Sequence, residues 1–320
     1  MNSKLLWIIC GSLFVVFTSL LAISSGGIRG TFIQKLPEIA GSSWKASEPV
    51  NYAFSKPPEK SSGATDPQIY AKAVILRDVG SSYVMYEKNA AEKVPIASTT
   101  KIMTAMVVLE DYSDRLNDVV TITYPMIAVE GSDIKLTPGE KIKVDNLLKG
   151  LLIMSGNDTA YSLATYFDGK EAFVAKMNQK ARELGLENTD FKDPAGLDDD
   201  GYSNAHDLAV LASYAMRHDK FREIVKTPET SISSVDGSII HDLKSSNHML
   251  NNDDNFYYPL AIGIKTGFTY AAGHCLVSAA ANNNHEILAV VLYTNENSIT
   301  ASAAESRKLL EWGFSNWTWQ

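Results

Sequence analysis

Apolar positions in this chain follow three patterns, and each predicts a different kind of structure. Residues 5–23 (LLWIICGSLFVVFTSLLAI) run without a charge, with Lys4 before them and Ser24-Ser25-Gly26-Gly27 after. A basic residue, an apolar stretch and a small-residue exit describe an export segment. The run is also long enough to cross a bilayer, which takes about 17–25 residues. Residues 1–24 are therefore expected to be a signal peptide or an N-terminal membrane anchor. The second pattern is alternation in short β-rich runs. Residues 73–78 and 82–87 flank Val79-Gly80-Ser81, a hairpin signature. Residues 260–266, 274–281 and 286–293 are further strands, the last two joined by Asn282-Asn283-Asn284. The third pattern, apolar residues at i, i+3 and i+4, predicts helices over 98–109, 145–154, 159–167, 172–184, 206–216 and 298–312. Strands from both ends, mostly antiparallel, enclose a helical insertion. The expected fold is α+β: a five-stranded antiparallel sheet flanked by helices, with a cleft between sheet and insertion.

Between the export segment and the first strand, Pro37, Pro49, Pro57, Pro58 and Pro67 lie among Ser, Gly and Lys with no sustained period. Residues 25–68 are expected to be a tether, and residues 69–316 the folded domain. A length of 320 residues, 45% of them apolar, supplies a large core and excludes a disordered chain. The 29 basic and 37 acidic residues give a net charge of −8, which argues against a nucleic-acid partner. Cys10 and Cys275, each in an apolar stretch, provide neither a disulfide framework nor a thiolate metal site. Among the six histidines, at 206, 218, 241, 248, 274 and 285, no His-Glu-x-x-His pair occurs, so no metal or cofactor is expected. The acidic stretches Asp198-Asp199-Asp200 and Asp253-Asp254 are expected to be solvated loops, and Tyr257, Tyr258, Trp312, Trp317 and Trp319 packing or interfacial residues.

Three short strings carry candidate chemistry: Ser98-Thr99-Thr100-Lys101, Ser155-Gly156-Asn157 and Lys265-Thr266-Gly267. Ser-x-x-Lys also occurs at Ser42 and Ser132, but only Ser98 begins an apolar helix, where a step of three stacks hydroxyl and amine on one face. A serine hydroxyl needs a base within hydrogen-bond reach to act as a nucleophile near neutral pH. Lys101 is that base if it is neutral. Desolvation by Ile102, Met103, Ala105 and Met106, and a second ammonium at Lys265, would lower its pKa. The alternative is a solvated helix cap. Ser155-Gly156-Asn157 breaks two helices, where side chains can point into a cleft. Lys265-Thr266-Gly267 ends a β-rich run, and glycine beside a strand marks close approach of another backbone. Ser245-x-Asn247 repeats the second string by chance.

Occurring together in this order on helix start, inter-helix break and strand, the three strings match the set of the β-lactamase and penicillin-binding group. Further strings extend the likeness over residues 71–314: Pro95-Ile-Ala-Ser-Thr-Thr-Lys, Leu152-Ile-Met-Ser-Gly-Asn-Asp, Gly196-Leu-Asp, Tyr202-Ser-Asn-Ala-His-Asp-Leu and Gly263-Ile-Lys-Thr-Gly-Phe-Thr. The chain resembles the serine D-alanyl-D-alanine carboxypeptidases, the low-molecular-mass penicillin-binding proteins. That resemblance implies a β-lactamase/transpeptidase-like fold and removal of the terminal D-alanine from peptidoglycan pentapeptide stems, with β-lactams as inhibitors. It implies Ser98 as the acylated nucleophile, Lys101 as its base, and Ser155 with Asn157 as proton relay and substrate contact. It implies that Lys265 and Thr266 of the Lys-Thr-Gly267 string bind the terminal carboxylate, and that the N–H groups of Ser98 and Phe268 form the oxyanion hole. His206 stands where many relatives carry Arg, which leaves that position without an assigned role. With about 27 residues after the last strand, any anchoring falls to the N-terminal segment.

The rival readings are a class A-like β-lactamase, an endopeptidase on cross-linked peptides, and a membrane-tethered sensor that recognises penicillin. A class A enzyme needs Glu in a Glu-x-x-Leu-Asn string to activate the deacylating water. Such a string is absent here, and the nearest approach, at Glu183, has Glu187 in place of Asn.

Overall fold

The computed structural model describes residues 55–294 and 298–320. The apolar run at 5–23 and the tether as far as residue 54 lie outside the described residues. In chain order the strands are β1 (Glu59–Lys60), β2 (Ala73–Asp78), β3 (Val84–Lys88), β4 (Val119–Thr121), β5 (Lys141–Lys143), β6 (Glu229–Ser233), β7 (Ile240–Lys244), β8 (Ala261–Thr269), β9 (Gly273–Asn282), β10 (His285–Thr294) and β11 (Trp317–Thr318). The helices are α1 (Lys101–Asp111), α2 (Tyr124–Ile127), α3 (Val144–Ile153), α4 (Asn157–Phe167), α5 (Lys170–Glu183), α6 (Ala205–Ala215), α7 (Asp219–Val225) and α8 (Ala301–Asn316).

Five strands form one sheet in the order β3-β2-β10-β9-β8, every neighbouring pair antiparallel. Period-2 alternation sends side chains to opposite faces, and the central strands are apolar on both. Ala73 and Ile75 of β2, Leu288, Val290 and Leu292 of β10, and Val277 of β9 join the core beneath the helical part. Val74 and Leu76, Ile287, Ala289 and Val291, and Leu276 join a second core with Leu309 and Leu310 of α8. The sheet is thus the middle of three layers, with α8 on one face and α1 and α6 on the other. Within the helical layer α1 is buried from Lys101 to Leu109, a helix with neighbours on every side rather than an amphipathic surface element.

The expected helices and sheet strands all form, with ends displaced by a few residues. Pattern reading missed the short ribbons β4–β5 and β6–β7, whose three to five residues are too few to show a period. The strand that carries Lys265 continues through Thr269 instead of ending at the motif. Packing also begins before residue 69 and continues past 316. Glu59 and Lys60 pair with Thr318 and Trp317, Pro58 is buried, and Trp319 Nε1 donates to Asp78 Oδ1 at 2.8 Å.

Because β8 lies at the sheet edge, one side of it is free of sheet partners and faces the helical layer. Ser98 is brought there by a 3₁₀ turn, Ala97–Thr100, which leads into α1.

Candidate active site

The chemistry-bearing side chains converge because two tight turns meet the edge strand. Ala97 has φ +47 and Ser155 φ +65, left-handed conformations that L-residues adopt only when their surroundings impose them. At Ala97 the packing is visible. A Cβ on Gly196, itself at φ +78, would lie 1.9 Å from the Ala97 carbonyl oxygen, so only glycine allows the 195–197 turn to press on the serine turn. Gly267 performs the same service from β8. A Cβ there would lie 3.0 Å from the Ser98 nitrogen and 3.1 Å from that of Thr99. The third residue of Lys265-Thr266-Gly267 therefore keeps the space beside the Ser98 N–H open.

Lys101 is fully buried. Its Nζ lies 2.7 Å from Ser98 Oγ, 2.8 Å from Asn157 Oδ1 and 2.8 Å from the Ala195 carbonyl oxygen. Burial drives its pKa down, and the carboxylates of Asp193 and Asp158 partly restore it, leaving it at about 7. The geometry decides where the lone pair of the neutral amine points. Two of its three neighbours are carbonyl oxygens, which only accept, so they take the two N–H groups. The remaining direction faces Ser98 Oγ, whose hydroxyl can donate to it. Such an arrangement can remove the Ser98 proton.

Asn157 is tied at both ends of its carboxamide, since Nδ2 donates to the Glu130 carbonyl at 2.6 Å. Its N–H donates to the Ser132 carbonyl at 2.7 Å. It supports Lys101 as well as forming cavity wall. Asp193 builds the turn that offers the Ala195 carbonyl, accepting N–H groups from Ala195, Gly196, Leu197 and Asp198 at 2.6–2.9 Å.

A cavity of about 300 Å³ opens on these groups. Of the site residues named from the sequence, Ser98, Ser155, Asn157, Thr266, Gly267 and Phe268 line it. Lys265 does not. It is fully buried, donates to the Thr266 carbonyl at 2.9 Å and stands 3.5 Å from Thr266 Oγ1. Burial first, and then the nearby Lys101 charge, push its pKa well below the ordinary lysine value. Thr266 and Gly267 are therefore what the string presents to the cavity, and Thr266 alone offers a polar side chain.

Sequence reasoning missed other wall residues. Ser132, set aside as a chance Ser-x-x-Lys, lines the cavity, while Lys135 is exposed and pairs with Asp133 at 2.9 Å. The segment of the chance Ser245-x-Asn247 string supplies Ser246, whose Oγ lies 2.6 Å from Thr266 Oγ1, and leads to His248. His274 also lines the cavity, its ring 4.3 Å from that of Phe268 and stacked on it. Asp199, from a stretch expected to be solvated, accepts from Thr269 Oγ1 at 2.6 Å and holds the end of β8. His206 is exposed on α6, off the cavity wall. The one signal that could have exposed the 193–198 turn is local: Asp193-Pro194 followed two residues later by glycine is turn chemistry.

A family profile described as D-alanyl-D-alanine carboxypeptidase matches residues 60–296. The chain is 34% identical to the D-alanyl-D-alanine carboxypeptidase DacF of Bacillus subtilis, over 83% of this chain and 67% of that one. It is 38% identical to the D-alanyl-D-alanine carboxypeptidase DacC of Escherichia coli, over 78% of this chain and 62% of that one. It thus spans about two thirds of these relatives' length. The crystal structure of the Streptomyces K15 DD-transpeptidase superimposes with a TM-score of 0.73 at 35% identity, covering 78% of this chain and 99% of that one.

Proposed function

The chain belongs to the D-alanyl-D-alanine carboxypeptidase family, and we propose that Ser98 is the nucleophile that carries its reaction. The enzyme is a serine-type hydrolase that removes the terminal D-alanine of peptidoglycan stem peptides. Lys101 accepts the Ser98 proton as Oγ attacks the carbonyl of the penultimate D-alanine. The N–H groups of Ser98 and Phe268 stabilise the oxyanion in the space that Gly267 keeps open. Ser155 passes a proton to the departing amine, and D-alanine leaves. Water then enters, gives its proton through Ser155 and Lys101, and hydrolyses the Ser98 ester. Asn157 holds the Lys101 amine and the wall at Ser132, while Thr266, backed by Lys265, contacts the substrate's carboxylate. β-Lactams enter the same site and acylate Ser98.

The observation that carries this reading is the buried Lys101 amine, with a pKa of about 7, two carbonyl acceptors and one hydroxyl at 2.7 Å. Glu183 and Glu187, nearest to a β-lactamase string, are exposed and off the cavity wall. Without such a base, deacylation of a rigid β-lactam is slow. Ser98→Ala is expected to abolish both covalent labelling by a fluorescent penicillin and release of D-alanine from a muropeptide digest. Labelling that survives the substitution overturns the assignment, and monomers released from dimers in that digest indicate endopeptidase action.

Members of this family work on peptidoglycan, in the cell envelope. We propose that residues 1–24 export the chain or anchor it and that the proline-containing stretch after them, as far as the packing that begins at Pro58, carries the catalytic domain away from the membrane. Protease treatment of spheroplasts checks this: a protected chain contradicts it.

A further inference from the structure

We infer that His248 reads the terminal carboxylate of the substrate from the cavity wall beside Thr266, as a specificity-determining residue. The inference deepens the carboxypeptidase reading and rests on it. An enzyme that removes only a terminal residue must distinguish a free carboxylate from a continuing chain, and inside a cavity that takes a cation or several donors. Lys265 supplies little of that charge, being off the cavity wall and held next to the Lys101 amine. Among the described residues that line the cavity, only His248 and His274 can become cationic.

Their surroundings differ. His274 lies in β9 with its ring against Phe268, whereas His248 Nδ1 lies 2.5 Å from Asp254 Oδ2. With Nδ1 occupied by the Asp254 carboxylate, Nε2 is the nitrogen left to meet a ligand, and in the doubly protonated ring it is a donor. Asp254 is suited to hold that ring. Although burial works against its charge, hydrogen bonds from His248 and from the Phe256 N–H, the latter at 2.9 Å, keep its carboxyl below the usual range.

The segment is also built to hold a position. Ser246 N–H donates to the Ile153 carbonyl at 3.0 Å, at the end of the helix that precedes Ser155. Its hydroxyl is bonded to Thr266. The Asn247 side chain accepts from Met249 N–H at 3.1 Å, and Tyr258 N–H donates to the Met249 carbonyl at 3.0 Å. One short stretch thus fixes the Thr266 hydroxyl through Ser246 and, two residues on, sets an imidazole in the wall of the same cavity.

The test compares a D-alanyl-D-alanine peptide as the free acid and as its C-terminal amide, with kcat and KM measured for each. The wild type is expected to prefer the acid. His248→Gln should raise KM for the acid at least about tenfold, the loss of one charge-assisted contact, with little change for the amide or in kcat. His248→Arg should restore the preference. An unchanged acid-to-amide ratio in His248→Gln overturns the inference, as does a collapse of that ratio in His274→Gln instead. A wild type that releases D-alanine from neither peptide removes the carboxypeptidase reading itself, and the inference with it.

Discussion

The start of α1 and the middle of β8 each bury a lysine completely, and the two lysines end in different states. Around Lys101 the chain supplies three oxygen neighbours and two carboxylates, Asp193 and Asp158, which draw the pKa back up to about 7 against desolvation. Around Lys265 it supplies the oxygens of Thr266 and, as its electrostatic neighbour, Lys101, so burial and repulsion act in the same direction. Burial alone therefore does not make a base. A buried lysine is poised as a base where nearby carboxylates offset part of the desolvation, and its charged form is disfavoured further where they are missing and a second ammonium stands beside it. The expectation that Lys265 would depress Lys101 needs its direction changed: the repulsion is expressed on Lys265.

Removing Lys101 is the largest break in this comparison. Lys101→Met keeps the length of the side chain and removes the base, and acylation by a fluorescent penicillin is expected to slow by about 10²–10⁴-fold in stopped-flow measurements. The same substitution lifts the repulsion on Lys265, whose pKa should rise, as read by NMR of carbon-13-labelled lysine. Undiminished acylation would remove Lys101 from its role. A Lys265 signal that does not move would show that desolvation alone sets its state.

A smaller effect is expected at the contact between the two regions. In Gly267→Ala the new methyl meets the Ser98 and Thr99 nitrogens at 3.0 and 3.1 Å, so β8 must retreat from the serine turn. Acylation should fall by about tenfold to a hundredfold, short of the roughly 10²–10³ that follows complete loss of an oxyanion donor. Acylation at the wild-type rate would show that the space beside Ser98 N–H is not where the oxyanion sits.

What was legible in the sequence follows the range of the interactions involved. The sheet, the buried helices and the three strings were readable because alternation, helical period and the Ser98-to-Lys101 step are local. The support of the site was not, because it is made by residues distant in sequence. Asp193 acts on Lys101 through the Ala195 carbonyl, and Ser246 reaches Thr266 from a bend after β7 too short to show a period. Ser132 and the Ser245-x-Asn247 string were dismissed as repeats of a motif, since their own spacing carries no chemistry. Their importance comes from where β8 and the end of α3 bring them. The Trp317 and Trp319 contacts that close the domain on Lys60 and Asp78 are likewise set by tertiary packing alone.

The smallest predicted effect is also the most specific to the difference between the lysines. If the Asp193 carboxylate helps hold the Lys101 ammonium, Asp193→Asn must lower the Lys101 pKa, because the charged form loses an attractive partner while desolvation is unchanged. Acylation requires the neutral amine, so its rate constant rises with pH through that pKa. The rising limb, near pH 7 in the wild type, should therefore move to lower pH, by about half a unit to one unit for a single partly screened charge. At pH 6 the variant should lose less of its maximal rate than the wild type, and well above pH 8 both should run at their maximal rates. The substitution also sets an amide N–H₂ against two backbone N–H groups of the 195–198 turn, costing about 1–3 kcal/mol of stability. That cost alters the amount of folded enzyme but not the position of the limb. Measuring the acylation rate constant at saturating substrate, rather than kcat/KM, keeps groups that act only in the free enzyme out of the profile. A limb that stays in place would assign the poise of Lys101 to its hydrogen bonds with Asn157 and Ala195. A limb that moves upward would mean that the titrating group is not Lys101.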